Sequence, residues 1–122
     1  NEIGDLYDKD NKIEPAPNSK NKIRVVASRS HMNPETRAFM TDLNKEYGEV
    51  EIMSKGSSLK FCLVAEGKAD IYPRFAPTME WDTAAGQAIC NSVGLKVISQ
   101  EGSMPLTYNC KNLLNPYFLV HK

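Results

Sequence analysis

The sequence predicts an α/β domain in which a mixed, mostly parallel sheet is flanked by helices. Residues 23–28 form a β-branched, nearly uninterrupted apolar run, which is typical of a strand covered on both faces. A helix pattern with start and stop signals follows this strand directly. Further short strand and helix patterns then alternate toward the C-terminus, as they do in layered α/β folds.

The first helix pattern has clear ends. Asn33 is suited to the N-cap, Pro34 to the first helical position, and Gly48 to the C-terminal stop. Residues 49–53 follow as a second strand. An apolar pattern with helical spacing then predicts a second helix over residues 58–66.

The rest of the chain predicts a short strand over residues 69–74, a third helix that begins at Pro77 and Thr78, and a strand over residues 96–99. Further extended pieces lie between residues 104 and 120. On the third helix one face is expected to pack closely on the sheet. Its members are Trp81, Ala84, Ala85, Ala88 and Ile89.

Size and charge limit the possible partners. The 122 residues suit one small domain, and 15 basic residues balance 15 acidic ones. We therefore expect no nucleic-acid polymer as partner. No apolar run is long enough for a membrane span and the first residues do not resemble a signal peptide, so we expect a cytoplasmic protein. Three cysteines without a Cys-x-x-Cys pair suggest reduced, structural thiols.

The first 22 residues differ in composition from the rest. They are rich in Asp, Asn, Lys and Pro and carry few apolar side chains. Such a segment cannot bury enough surface to order itself alone. We expect residues 1–22 to be a polar arm or a former interdomain edge, and residues 23–122 to form the domain.

Asp82 is the first candidate for chemistry, because it lies in the first turn of the third helix, beside a strand end. Ligands of open α/β sheets bind at such edges. A carboxylate there suits a hard cation such as Mg²⁺, although one carboxylate does not make a site. From the residues alone the commoner alternative is that Asp82 only complements the helix dipole.

Ser57 and Lys60 are candidates for an anion site, because a Gly-Ser-Ser turn before a helix presents backbone N–H groups and a hydroxyl. The alternative is an ordinary Ser57 cap with a solvated Lys60. Arg74 is open to interpretation as a surface charge. His31, after a strand, suits ligand binding or acid/base chemistry, but no triad spacing accompanies it.

Two stretches carry a family resemblance: residues 56–67, and residues 69–86 with Ala-Asp-Ile-Tyr-Pro-Arg followed by Trp-Asp-Thr-Ala-Ala-Gly. They resemble the 3'(2'),5'-bisphosphate nucleotidases of the CysQ type, a branch of the inositol monophosphatase superfamily. The resemblance extends over residues 23–120. It implies the C-terminal domain of the inositol monophosphatase-like sugar phosphatase fold.

The resemblance also implies an activity for the complete enzyme: Mg²⁺-dependent removal of the 3'-phosphate of 3'-phosphoadenosine 5'-phosphate, a small nucleotide substrate, to give AMP and phosphate. It implies that Asp82 is catalytic, as a metal ligand that also contacts substrate. It implies that Ser57, Lys60 and Arg74 hold the other phosphate, and that His31 lies near the nucleoside.

The family's acidic Glu-Glu segment and its Asp-Pro-x-Asp-Gly-Thr motif are absent from the chain. The family's N-terminal domain supplies both, with most metal ligands, so we expect this chain alone to be inactive. An interdomain face exposed in this way would favour self-association. Two alternatives remain: a sister phosphatase acting on inositol phosphates or fructose bisphosphate, and a non-catalytic anion-binding module.

Overall fold

The computed structural model describes residues 12–17, 21–27, 32–54 and 59–122. Within them the chain forms five strands and three helices. The strands are β1 (Ile23–Val26), β2 (Val50–Met53), β3 (Tyr72–Arg74), β4 (Lys96–Ser99) and β5 (Phe118–His121), and the helices are α1 (Pro34–Tyr47), α2 (Leu59–Ala65) and α3 (Glu80–Ser92). None of these helices is long and apolar enough to cross a membrane.

The sheet is mixed, and the α/β class is confirmed. Strand β1 pairs with β2 in parallel, while β5 lies between β3 and β4 and is antiparallel to both. A parallel bridge between Val25 and Ile71 connects the two groups of strands. The antiparallel share is larger than the sequence predicted, because β4 and β5 are joined by a connection without a helix. Parallel neighbours need a longer crossover, usually helical.

The ends of α1 agree with the prediction. The Asn33 side-chain oxygen accepts a hydrogen bond from the Thr36 backbone N–H at 2.9 Å, and Pro34 is the first helical residue. At the other end Gly48 has a φ of 83°, and its N–H donates to the Asn44 carbonyl at 2.9 Å. Glycine adopts this left-handed conformation without the steric cost that other residues incur.

Helix α3 begins at Glu80, later than predicted, because the residues before it pair with the segment that precedes β5. The Asn115 N–H donates to the Thr78 carbonyl at 2.8 Å, and the Glu80 N–H donates to the Leu113 carbonyl at 2.9 Å. Met79 also forms an antiparallel bridge with Leu114. This pairing keeps residues 78 and 79 extended, so Met79 becomes the N-cap.

The prediction for the buried face of α3 is wrong. Its inward side chains are Thr83, Gln87 and Cys90, while the predicted face points outward, with Trp81 68% exposed and Ile89 38% exposed. The inward polar groups are satisfied by hydrogen bonds, so burying them costs little. Close packing does occur at Gly86, where an added Cβ would lie 2.5 Å from the Phe61 ring of α2.

The core lies between the helices and the sheet. Phe61, Tyr72 and Phe118 form mutual ring contacts with centroid separations of 5.3 to 5.8 Å. Cys90 is fully buried beside them, and burial raises the pKa of its thiol to about 12. Its thiol is therefore protonated at neutral pH, as expected for a structural cysteine.

The predicted polar arm falls largely outside the described residues. Within it, residues 12–17 form no helix or strand and pass close to Gly67. A Cβ at Gly67 would lie 2.8 Å from the Glu14 carbonyl oxygen, and the φ of Gly67 is 79°. Gly67 therefore allows this segment to approach the end of α2.

Candidate functional site

The first turn of α3 carries Asp82 at its surface. The Met79 N–H donates to Asp82 Oδ2 at 2.9 Å, and the Asp82 N–H donates back to the Met79 carbonyl at 2.9 Å. One carboxylate oxygen therefore caps the helix, in agreement with the helix-end alternative. Oδ1 has no hydrogen-bond partner among the described residues. Capping and ligation are compatible, because each uses a different oxygen.

Lys60 and Arg74 line one small cleft. Lys60 is buried at 6% exposure, and its amine lies 5.8 Å from the centre of the Tyr72 ring. Arg74 follows at the end of β3, where its guanidinium donates to the Pro77 carbonyl at 3.4 Å. Ala27, Thr36, Phe75 and their neighbours complete the cleft, of about 20 Å³. The solvated lysine allowed by the local sequence is therefore incorrect.

The electrostatics of this cleft favour an anion. Burial is the main cause that lowers the pKa of Lys60, and the charge of Arg74 lowers it further. The Arg74 Nε is buried and has no hydrogen-bond partner within the described part of the chain. Two neighbouring cations and an unpartnered buried Nε–H suit an anion. The cleft of about 20 Å³ has room for about one water molecule, so a phosphate would enter only if the cleft widens.

Asp70, another acid of the resembling stretch, has a structural role. Its carboxylate accepts hydrogen bonds from the Arg24 backbone N–H at 2.8 Å and from the Arg24 guanidinium at 3.2 Å. This ion pair joins β1 to the segment that leads into β3. Asp70 is therefore committed to Arg24. Both oxygens of the Glu80 carboxylate accept hydrogen bonds, from the Asn109 and Cys110 N–H groups at 3.0 Å, so Asp82 is the acid of this stretch with an oxygen left open.

The structure brings together only some of the predicted site residues. Lys60 and Arg74 share the cleft. Asp82 lies outside its lining, in the first turn of α3, which follows the loop after Arg74. Ser57 and His31 lie outside the described residues. A larger cavity of about 310 Å³, lined by Phe39, Tyr47 and others, contains none of the predicted residues.

A metal ion finds only a partial set of ligands here. Among the described residues, no group of three or more His, Cys, Asp or Glu side chains could hold one. Asp82 is an exposed carboxylate with one oxygen open, so it fits the role of a single ligand. The remaining ligands would have to come from elsewhere.

Sequence reasoning missed two contributors to this region. Tyr72 places its aromatic face beside the Lys60 amine, although it lies within the Ala-Asp-Ile-Tyr-Pro-Arg stretch that was singled out. Asn115 is 6% exposed and donates to Thr78 and Met79, just before α3, and to Thr83 within it. No local signal identifies Asn115, because its hydrogen-bond partners lie 32 to 37 positions away in the sequence.

Comparisons with known proteins agree on one family. Residues 4–117 match the sequence profile of the Inositol monophosphatase family. The 3'(2'),5'-bisphosphate nucleotidase CysQ of Escherichia coli (strain K12) is 50% identical over 97 residues, which are 79% of this chain and 37% of that protein. The CysQ of Haemophilus influenzae is 31% identical over 99 residues, 80% of this chain and 35% of that protein.

Solved structures give the same result. The crystal structure of CysQ from Bacteroides thetaiotaomicron, a bacterial member of the inositol monophosphatase family, is 55% identical with a TM-score of 0.79 and covers 88% of this chain and 40% of that one. Inositol monophosphatase II from Staphylococcus aureus, at 19% identity and a TM-score of 0.69, covers 89% of this chain and 39% of that one and shares the fold. The chain thus spans about two fifths of the length of the relatives it matches.

Proposed function

The chain belongs to the inositol monophosphatase family, and from that premise we propose that it is the C-terminal domain of a 3'(2'),5'-bisphosphate nucleotidase. The complete enzyme removes the 3'-phosphate of 3'-phosphoadenosine 5'-phosphate and releases AMP and phosphate. The observation that carries this proposal is the cleft shared by the buried Lys60 and Arg74. Relatives with 50% identity that are named as nucleotidases support the choice of substrate.

In this proposal Lys60 and Arg74 hold the phosphate that does not react. Their mutual repulsion is relieved when a dianionic phosphate enters, and the buried Arg74 Nε gains a partner. A charge-assisted contact of this kind positions the substrate. Ser57 adds a hydroxyl to the same phosphate, and His31 contacts the nucleoside; both assignments rest on the resemblance.

Asp82 acts at the reacting phosphate. Its capping bond with Met79 keeps the carboxylate at a fixed place in the first helical turn and leaves Oδ1 open for a ligand. Asp82 would hold Mg²⁺ together with ligands from outside this chain. When bound, Mg²⁺ activates a water molecule and neutralises charge that develops on the phosphoryl oxygens.

The isolated chain is inactive in this proposal. Its described residues gather no set of three acidic or His side chains, and its sequence lacks the two acidic motifs of the family. Binding and catalysis are therefore divided: this chain contributes the phosphate cleft and one metal ligand. The rest of the parent protein contributes the other ligands.

Two alternatives have specific support. A sister phosphatase acting on inositol phosphates or fructose bisphosphate is consistent with the family match, which is shared by inositol monophosphatases of the same fold. A non-catalytic anion-binding module is consistent with the Lys60 and Arg74 cleft, because that cleft lies within this chain. The two alternatives differ from the nucleotidase in substrate and in turnover.

The test measures phosphate release by the full-length parent with Mg²⁺ and each of three substrates: 3'-phosphoadenosine 5'-phosphate, inositol monophosphate and fructose bisphosphate. The 122-residue chain is assayed in parallel. We expect the parent to prefer the nucleotide and the chain to be silent. Preference for a sugar phosphate would favour the sister phosphatase. Anion binding without turnover by the parent would favour the module.

A further inference from the structure

A relay of hydrogen bonds between side chains lies under the buried face of α3. Asn115 Nδ2 donates to Thr83 Oγ1 at 2.9 Å, and Thr83 Oγ1 lies 3.2 Å from the Tyr108 hydroxyl. The Tyr108 hydroxyl donates to Gln87 Oε1, and Gln87 Nε2 donates to the Leu106 carbonyl at 3.4 Å. The relay thus joins α3 to the segment between β4 and β5.

The protons of the relay run in one direction. Tyr108 has a single hydroxyl proton and gives it to Gln87, so toward Thr83 it can only accept. The Thr83 hydroxyl donates to Tyr108 or to the Glu80 carbonyl at 3.3 Å, and it accepts from Asn115. Each group depends on the next, and removing one leaves a buried polar partner unsatisfied.

Asn115 also contacts the N-cap of α3. Its Nδ2 lies 3.0 Å from the Met79 carbonyl oxygen and 3.2 Å from Thr78 Oγ1. Met79 is the residue whose N–H donates to Asp82 Oδ2. Met79 therefore has two contacts: its carbonyl group accepts from Asn115, and its N–H group donates to Asp82.

From this chain of contacts we infer that Asn115 and Thr83 are positioning residues for Asp82, and that they set the carboxylate for metal binding from beneath the helix. The inference rests on the proposed role of Asp82 as a metal ligand. Groups that orient a ligand commonly affect metal affinity as well as catalysis. A carboxylate held from two sides is preorganised, so less freedom is lost when it binds.

The polar character of this face supports the inference. Thr83 is 1% exposed and Asn115 6% exposed, although the adjoining core, which includes Cys90 of α3, is apolar. Apolar side chains in place of Thr83 and Asn115 would fill the space without fixing the rotation or the first residue of α3. A satisfied polar network specifies one arrangement, and the arrangement specified here is that of the turn carrying Asp82.

The test uses the full-length parent and two isosteric changes, Thr83→Val and Asn115→Leu, with Thr83→Ser as the matched control that keeps the hydroxyl. Mn²⁺ binding is measured directly by electron paramagnetic resonance, and kcat and KM by phosphate release. We expect Thr83→Val and Asn115→Leu to weaken Mn²⁺ binding about tenfold and to lower kcat similarly. KM should stay within about twofold, and Thr83→Ser should resemble the parent.

A second readout is the exchange rate of the Met79 amide, which donates to Asp82, followed by NMR. It should rise in Thr83→Val and stay unchanged in Thr83→Ser. Unchanged metal affinity and unchanged Met79 exchange in folded Thr83→Val and Asn115→Leu proteins would overturn the inference. If those proteins do not fold, the truncations Thr83→Ala and Asn115→Ala remove the same hydrogen bonds, and the same two outcomes decide.

Asp82→Ala, measured in the same way, separates the two proposals. Loss of Mn²⁺ binding in Asp82→Ala but in none of the relay variants would refute the positioning role alone. Retained Mn²⁺ binding in Asp82→Ala would refute the metal role of Asp82, and with it the inference. We expect Mn²⁺ binding to be weakened in Asp82→Ala and in the relay variants Thr83→Val and Asn115→Leu, and to be retained in Thr83→Ser.

Discussion

The buried ammonium group of Lys60 lies close enough to Arg74 in one cleft for the guanidinium charge to lower the lysine pKa. Like charges in a buried place are costly unless a counter-charge is near. None of the described residues that line the cleft is acidic. The arrangement is stable only at some cost to the fold, and an entering phosphate would remove that cost.

Replacing the Lys60 charge should therefore affect substrate binding. In the full-length parent, Lys60→Met should raise KM for the nucleotide about 10- to 100-fold, the value of one charge-assisted hydrogen bond, and leave kcat within about threefold. Steady-state phosphate release measures both constants. Lys68→Met is the matched control, since Lys68 is exposed and pairs with Glu66 at 2.9 Å. A lowered kcat at unchanged KM would contradict the proposed role of Lys60.

The pKa of Lys60 predicts a pH dependence. Burial, followed by the Arg74 charge, lowers this pKa from 10.5, so the proton that binds phosphate is lost at a pH below 10.5. KM should rise in that alkaline range. Because the unfolded chain holds the proton more tightly, unfolding free energy should increase with pH between the folded-state pKa and 10.5.

The control for this pH dependence is Lys60→Arg, since a guanidinium stays protonated throughout. Its KM should be nearly flat between pH 8 and about pH 10, even if it is higher overall. KM profiles that rise equally in the parent and in Lys60→Arg would assign the titration to another group.

Asp82→Asn should separate the cap from the ligand. An Asn side chain still accepts from the Met79 N–H, so the thermal midpoint should change little. The loss of one anionic ligand should lower kcat about a hundredfold at saturating Mg²⁺, with a smaller change in KM. Near-normal turnover at saturating Mg²⁺ would show that Asp82 only caps the helix.

Local signals predicted some elements well. Asn33, Pro34 and Gly48 each act on the backbone next to them, so the bounds of α1 were visible in the sequence. The start of α3 was not, because residues 78 and 79 are held extended by residues 113–115, far along the chain. A cap signal reports only local preference, and tertiary pairing displaced it here.

The predictions of the buried face of α3 and of a solvated Lys60 were wrong for a related reason. Ala84 and Ala88 suit close packing, but Thr83 and Gln87 face inward because hydrogen-bond partners exist on the opposite segment. Similarly, the sequence around Lys60 favoured a solvated lysine, since its burial depends on Tyr72 and Arg74 in another element. The family resemblance proposes Lys60 and Arg74 for the phosphate site, which local preference does not.

The outward face of α3 predicts self-association of the isolated chain. Trp81 and Ile89 are exposed there beside three exposed alanines, and an apolar surface of this kind favours contact with a second copy. Sedimentation velocity of the 122-residue chain should show a dimer fraction that grows with concentration. Trp81→Lys should raise the dissociation constant of the dimer at least about tenfold, because a charge in this contact must be desolvated.

Met104→Lys is the matched control, since Met104 is 65% exposed but belongs to the segment after β4. Equal dissociation in the two variants would place the contact elsewhere, and a monomer at all concentrations would remove self-association as a property of this face.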